Sequence, residues 1–140
     1  MTRILECDTE KQLRELFTVH LSGFWASHYT FGGAPSEVEH CALSNSSIDI
    51  LLINTVAPLY YAYGEKTDSF ATSDRAVSLL ESLRPERNSV VATFTAAGIK
   101  CPDALTSQAL IQLRREYCEA RKCLYCKIGH RLLSAAAREQ

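Results

Sequence analysis

Apolar residues recur along most of this chain at intervals of three and four, the spacing of one face of an α-helix. The first such face is Leu13, Leu16, Phe17, His20, Leu21 and Phe24. It follows Thr9-Glu10-Lys11-Gln12, which has the form of a capping box: Thr9 accepts from a first-turn amide and Gln12 reaches back to the cap. Gly32-Gly33-Ala34-Pro35 then punctuates, and the polar stretch to Ser47 reads as loop with one short turn. Ser46 or Ser47 can cap a second helix, with Asp49 in its first turn, where the positive end of the dipole favours a carboxylate. Residues 48–63 are apolar on most sides, which predicts the central, most buried helix, kinked at Pro58 and stopped at Gly64.

A third helix is expected over 69–83, with Phe70, Ala76, Val77, Leu79, Leu80 and Leu83 inward and Arg84-Pro85 ending it. Asn88 or Ser89 can cap a short fourth through Val90, Val91 and Phe94, which Gly98 terminates. Pro102-Asp103 opens a fifth that runs to about Tyr117 and buries Leu105, Ala109, Leu110 and Leu113. A last helix over about 128–137 follows a cysteine-rich turn. One short run, Val90-Val91-Ala92-Thr93, has strand character, but its caps favour helix. The expected fold class is all-α: a compact bundle of about five or six helices, one domain over 1–140, with the Cys-rich turn before the last helix.

Composition narrows the class further. With 140 residues the chain can build a real core, since chains of ~150 residues bury roughly 70% of their unfolded surface. Its 46% hydrophobic and 22% charged residues exclude a disordered tail, a collagen-like rod and a coiled coil. No apolar run reaches the ~18 residues of a membrane span, because Asp49, Asn54 and Pro58 interrupt 48–62. Residues 1–9 carry Glu6 and Asp8 and no apolar stretch, so no signal peptide is read there and a cytoplasmic protein is expected.

Charge and cysteine are unevenly spread. Residues 1–70 hold four basic and nine acidic side chains, giving −5, whereas 71–140 hold eleven and seven, giving +4. Within 114–131 the basic residues Arg114, Arg115, Arg121, Lys122, Lys127 and Arg131 face only Glu116 and Glu119. Such a run is either a solvated helix face or a nucleic-acid-binding patch. Of the six cysteines (Cys7, Cys41, Cys101, Cys118, Cys123 and Cys126), three fall within nine residues of that basic stretch.

No phosphate cradle, zincin motif or hydrolase elbow is present. His20, His28, His40 and Asp49 are single acid–base candidates with no spacing that pairs them. His20 reads as a core or boundary histidine, and His28, among Phe24, Trp25, Tyr29 and Phe31, as part of a core plug. Asn54, in the middle of an apolar helix, needs a hydrogen-bond partner in a neighbouring loop or helix. Cys118-x4-Cys123-x2-Cys126 followed by His130 has the spacing of a metal site, because a CxxC turn aims two sulfurs at one point. Nearby Arg121, Lys122 and Lys127 favour thiolates. Zinc is the first ion to consider, with His130 or Cys101 as fourth ligand. An iron–sulfur cluster with Cys101 as the distant thiolate is the second. Three reduced structural thiols are the alternative to both.

Several stretches resemble the C-terminal part of an uncharacterised bacterial family catalogued as domain of unknown function 2851. They are Phe24-Trp25 with His28-Tyr29-Thr30-Phe31-Gly32, the run from Ser47 to Pro58, Ala62-Tyr63-Gly64, Asn88-Ser89-Val90 and Gly98-Ile99. Ser107 to Leu113, Glu116-Tyr117-Cys118 and Lys122-Cys123-Leu124-Tyr125-Cys126-Lys127-Ile128-Gly129 continue the likeness, which runs from about Arg3 to Leu133. The resemblance implies a longer protein whose N-terminal portion is nuclease-like and has no counterpart among these motifs. Together with the basic surround of the cysteines, it points to a non-catalytic helical module that binds nucleic acid or packs against a nuclease-like domain. The alternative is a metal- or iron–sulfur-dependent redox or enzyme domain that uses the cysteine cluster.

Overall fold

The structure, a computed structural model, describes residues 2–19, 21–36 and 43–136. His20, His40, Cys41 and the end of the last predicted helix at Ala137 lie outside the described residues. The fold is all-α, with no strand among the described residues. Contacts divide the chain into two compact units, Met1–Leu79 and Leu80–Gln140.

The first unit opens with a short helix α1 (Thr2–Leu5), which no periodicity announces. Helix α2 (Glu10–Phe17) follows and carries the expected capping box, Thr9 with Gln12. It buries Leu13, but ends at Phe17 and does not extend to Phe24. Beyond it Gly23 takes a left-handed φ of 61° at the head of a 3-10 turn, Gly23–Ala26, which breaks the helical path. Leu21 and Phe24 are therefore exposed instead of inward.

The apolar stretch around 48–63 is a continuous run of helix α3 (Asn45–Leu51), a π-turn (Leu52–Val56) and helix α4 (Ala57–Lys66). Ser44, not Ser46 or Ser47, is its N-cap: the Ser44 hydroxyl accepts from the Ser47 amide at 3.1 Å. Ile48, Leu52, Ile53, Val56, Ala57 and Tyr60 form the core, with Leu52 and Val56 at 0% exposure. Ile50 and Tyr61 on the other side are exposed, so burial follows one stripe and not the whole circumference. Asn54 falls on the exposed side, where its amide donates to the Ile50 carbonyl of its own helix. It is not the buried polar group the sequence suggests.

Pro58 has no N–H, and its ring crowds the carbonyl four residues back. The helix widens just before it, and the Ala57 amide bonds to Leu52 O, five residues back. Gly64 does not stop the helix. A Cβ there would lie 2.6 Å from the Ser73 backbone nitrogen, so glycine is what lets α4 approach the start of helix α5 (Phe70–Ser82). In α5, Ala76 and Leu79 are buried as expected, whereas Phe70 and Val77 are exposed.

Long-range capping ties α1 to this core. The Tyr60 hydroxyl donates to Ile4 O (2.8 Å) and Cys7 O (3.1 Å), and Arg75 donates to Leu5 O (3.2 Å) and to Cys7 O. Ile4 O also accepts from the Cys7 amide (3.2 Å), whereas Leu5 O is one of the carbonyls that a helix end leaves without an internal partner, and a cation there also suits the dipole. The Arg75 guanidinium lies 4.7 Å over the Tyr60 ring. Burial, first of all, holds the Tyr60 phenol above its ordinary pKa, against the lowering effect of Arg75. Across the unit, Arg14 of α2 bonds both Glu10 (2.7 Å) and Asp49 (2.5 Å). Burial lowers its pKa, but the two carboxylates outweigh that and raise it.

In the second unit, helix α6 (Ser89–Ala96) is capped by Asn88, which accepts from the Val91 amide at 2.9 Å. Gly98, at φ 88°, closes it, with the Ile99 amide bonded to Phe94 O. Helix α7 (Ala104–Leu113) is capped by Asp103 and runs into a second π-turn, Arg114–Cys118. Ala104, Ser107 and Leu110 face the core with Leu83 and Val91, whereas Ala109 is exposed. The fully buried Ser107 hydroxyl donates to Ala104 O (2.8 Å) and accepts from the Glu86 amide (3.2 Å), so it is satisfied. Helix α8 (Lys127–Ala136) follows the cysteine-rich turn, close to where the sequence puts it. No helix among the described residues is long and apolar enough to cross a membrane.

Candidate functional site

The segment from the second π-turn to α8 is a tight reversal. The Glu119 amide bonds to Arg114 O, which closes the π-turn. The Arg121 amide then bonds to Cys118 O (3.1 Å) and the Lys122 amide to Tyr117 O (2.8 Å). This is the bonding of a helix end whose turning residue is left-handed, a position that glycine usually takes. Here the residue is Arg121, at φ 52°. The Tyr125 and Cys126 amides bond back to Lys122 O, and the His130 amide to Cys126 O, which starts α8.

Gly129 completes the packing. A Cβ on it would stand 2.5 Å from Cys123 O and 3.1 Å from the Cys123 Cα, so α8 rests directly on the backbone of the turn. Only a residue without a side chain permits this. The resemblance includes Gly129, but spacing alone gives no reason for it.

All six basic residues marked in the sequence are exposed in this segment: Arg114, Arg115, Arg121, Lys122, Lys127 and Arg131. Arg114 pairs with Glu119 (3.2 Å) and Arg115 with Glu116 (3.8 Å). Among the described residues no ion pair forms to Arg121, Lys122, Lys127 or Arg131. Apolar side chains interleave with the cations: Tyr125 is 84% exposed and Leu124 69%. Tyr117, Lys122 and Tyr125 share an open groove with Gln112 and Glu116; of these the sequence marks only Lys122 as a site residue. Charge follows the division into units, five basic against ten acidic residues in 1–79 and ten against six in 80–140.

The cysteines have diverse surroundings. Cys118 and Cys123 are exposed and Cys126 is buried. His130 is exposed, with Nδ1 3.5 Å from the Ser134 hydroxyl. Cys101 is half-buried beside Asp103; burial first, then the Asp103 charge, pushes its thiol pKa up. It lines a different groove, with Arg84, Arg87 and Asn88. Among the described residues, no three His, Cys, Asp or Glu side chains form a group that could hold a metal ion.

The aromatic stretch near His28 packs ring on ring but is not a core plug. Phe24 stacks on His28 at 4.0 Å, and Phe31 meets the Trp25 ring edge-on at 4.7 Å, yet Tyr29 and Phe31 are 78% and 83% exposed.

Fold and surface together define an all-α protein whose basic, aromatic-bearing segment is its most chemically distinctive feature. The chain belongs to the family described as protein of unknown function (DUF2851), whose model matches residues 1–89. That match stops short of the cysteine turn and the basic segment. No curated protein and no solved structure matches the chain.

Proposed function

We propose that this chain is a non-catalytic helical module that binds nucleic acid through residues 114–131, as an accessory to a nuclease-like domain of the kind the resemblance implies. The observation that carries the reading is the exposure of all six basic side chains within one short reversal, four of them without an ion pair among the described residues. Exposed cations with no carboxylate partner among the described residues suit a polyanion, whose binding releases counterions. Arg121 adds a second support. It holds a left-handed backbone that costs a non-glycine residue roughly 1 kcal/mol, and residues kept at such a cost concentrate at functional sites. A zinc or cluster site would require at least three such side chains to converge, and among the described residues no three do.

The test is fluorescence anisotropy with labelled DNA and RNA, single- and double-stranded, at low salt. Reversing charge at Arg121 and Lys122 together should remove most of the binding. Arg121→Gly should weaken binding while raising stability, since it relieves the backbone. No binding by the unaltered protein to any of the four probes would overturn the reading.

A further inference from the structure

The groove beside the basic surface contains more than phosphate binding requires. Tyr125 sits at 84% exposure between Leu124, also exposed, and the buried Cys126, so its ring is held out by a backbone that is itself tied down. The Lys122 amide bonds to Tyr117 O and the Tyr125 amide to Lys122 O, so two tyrosines are fixed around one lysine. Gln112 and Glu116 provide the polar wall of the same groove. Phosphates would be met by the cations alone. Exposed aromatic faces in a cationic setting call for a partner that is anionic and also offers flat apolar surfaces.

We propose that this groove takes single-stranded nucleic acid, with bases stacking on Tyr125 and Tyr117 while Lys122, Arg121 and Lys127 meet the phosphates. The inference rests on the nucleic-acid reading above and narrows it. A duplex keeps its base faces stacked inside, so only an unpaired strand can use the tyrosines. Glu116, 3.8 Å from Arg115, has no use toward the anionic groups of a lipid surface, which are phosphate and carboxylate acceptors in competition with it. Toward a base it has a use, as an acceptor for an exocyclic amino group, and Gln112 can both donate and accept.

The experiment compares a labelled single strand of about twelve nucleotides, as DNA and as RNA, with the duplex of the same sequence. Vesicles containing phosphatidylserine serve as a further probe. Tyr125→Ala should weaken single-strand binding by about 5- to 150-fold, the range for loss of one stacked base, and leave duplex binding almost unchanged. Tyr125→Phe should keep single-strand affinity, because the ring stacks without its hydroxyl. Tyr125 is so exposed that its loss leaves folding intact. An equal effect of Tyr125→Ala on both nucleic-acid forms, or no effect on either, overturns the stacking and leaves the nucleic-acid reading in place. Binding to the vesicles with none to single strands also overturns it. Absence of any nucleic-acid binding fails the broader reading and takes this one with it.

Discussion

Replacing Gly129 by alanine separates packing from intrinsic preference at the cysteine turn. Gly129 is the third residue of α8, and its φ is not left-handed, so alanine there would ordinarily favour the helix by about 1 kcal/mol. The new methyl, however, would stand 2.5 Å from Cys123 O and 3.1 Å from the Cys123 carbonyl carbon and Cα. These are backbone atoms that cannot rotate away, so the turn or the helix must move. Overpacking of this kind costs about 1–3 kcal/mol, and more where backbone must shift, so a net local loss of about 1–2 kcal/mol is expected. Thiol labelling reads it directly. Cys126 is buried, and Cys7 is buried in the other unit, whereas Cys118 and Cys123 are exposed. In Gly129→Ala the labelling of Cys126 should accelerate about 5- to 30-fold, the factor that corresponds to that loss, while Cys7 keeps its rate. An unchanged or slower Cys126 would show that α8 does not rest on the Cys123 backbone.

Other expectations follow from the core and the thiols. Leu52, at 0% exposure, should cost about 2–5 kcal/mol as Leu52→Ala in chemical denaturation, and a value under about half a kcal/mol would place this helix at the surface. Tyr60→Phe removes the hydroxyl donor to Ile4 O and Cys7 O, which keep the Cys7 amide and Arg75 respectively, and should cost about 0.5–1.5 kcal/mol. Because burial raises the Tyr60 pKa in the folded state, its contribution is complete below the ordinary value of 10.0 and is lost as pH rises through the higher folded value. Tyr60→Phe should accordingly flatten the alkaline limb of the stability profile, and an unchanged limb would refute that assignment. Freshly purified protein should hold zinc and iron at well below one equivalent, since no three candidate ligands form a group among the described residues; elemental analysis giving one equivalent would refute this.

Local signals in the sequence were read well where the structure uses them locally. The Thr9 and Gln12 box, the Asn88 and Asp103 caps and the Gly98 terminator each act within one helical turn, so residue type and spacing suffice. Features that depend on distant residues were not legible. Helix α1 is too short to show periodicity, and Tyr60 and Arg75, more than fifty positions away, cap it. Gly64 looks like a terminator and no spacing marks Gly129, but each is a contact with backbone that sequence cannot display. The aromatic cluster of Phe24, Trp25, His28 and Phe31 satisfies itself by mutual stacking, so its apolar composition does not imply burial. At the candidate site all six basic side chains are exposed, which is the default for arginine and lysine. The cysteine spacing proved less informative, since it cannot say which sulfurs point together.

The most direct test of the nucleic-acid reading is the dependence of affinity on salt for a single-stranded oligonucleotide. Four cations, Arg121, Lys122, Lys127 and Arg131, have no ion pair among the described residues, and about four neutralised phosphates give a slope of log affinity against log salt near −3. Between 50 and 200 mM salt the affinity should therefore fall about 50-fold or slightly more. Reversing charge at Arg121 and Lys122 should bring the slope toward about half of that. A slope near zero, or one that the reversal leaves unchanged, would contradict the claim that this surface binds nucleic acid.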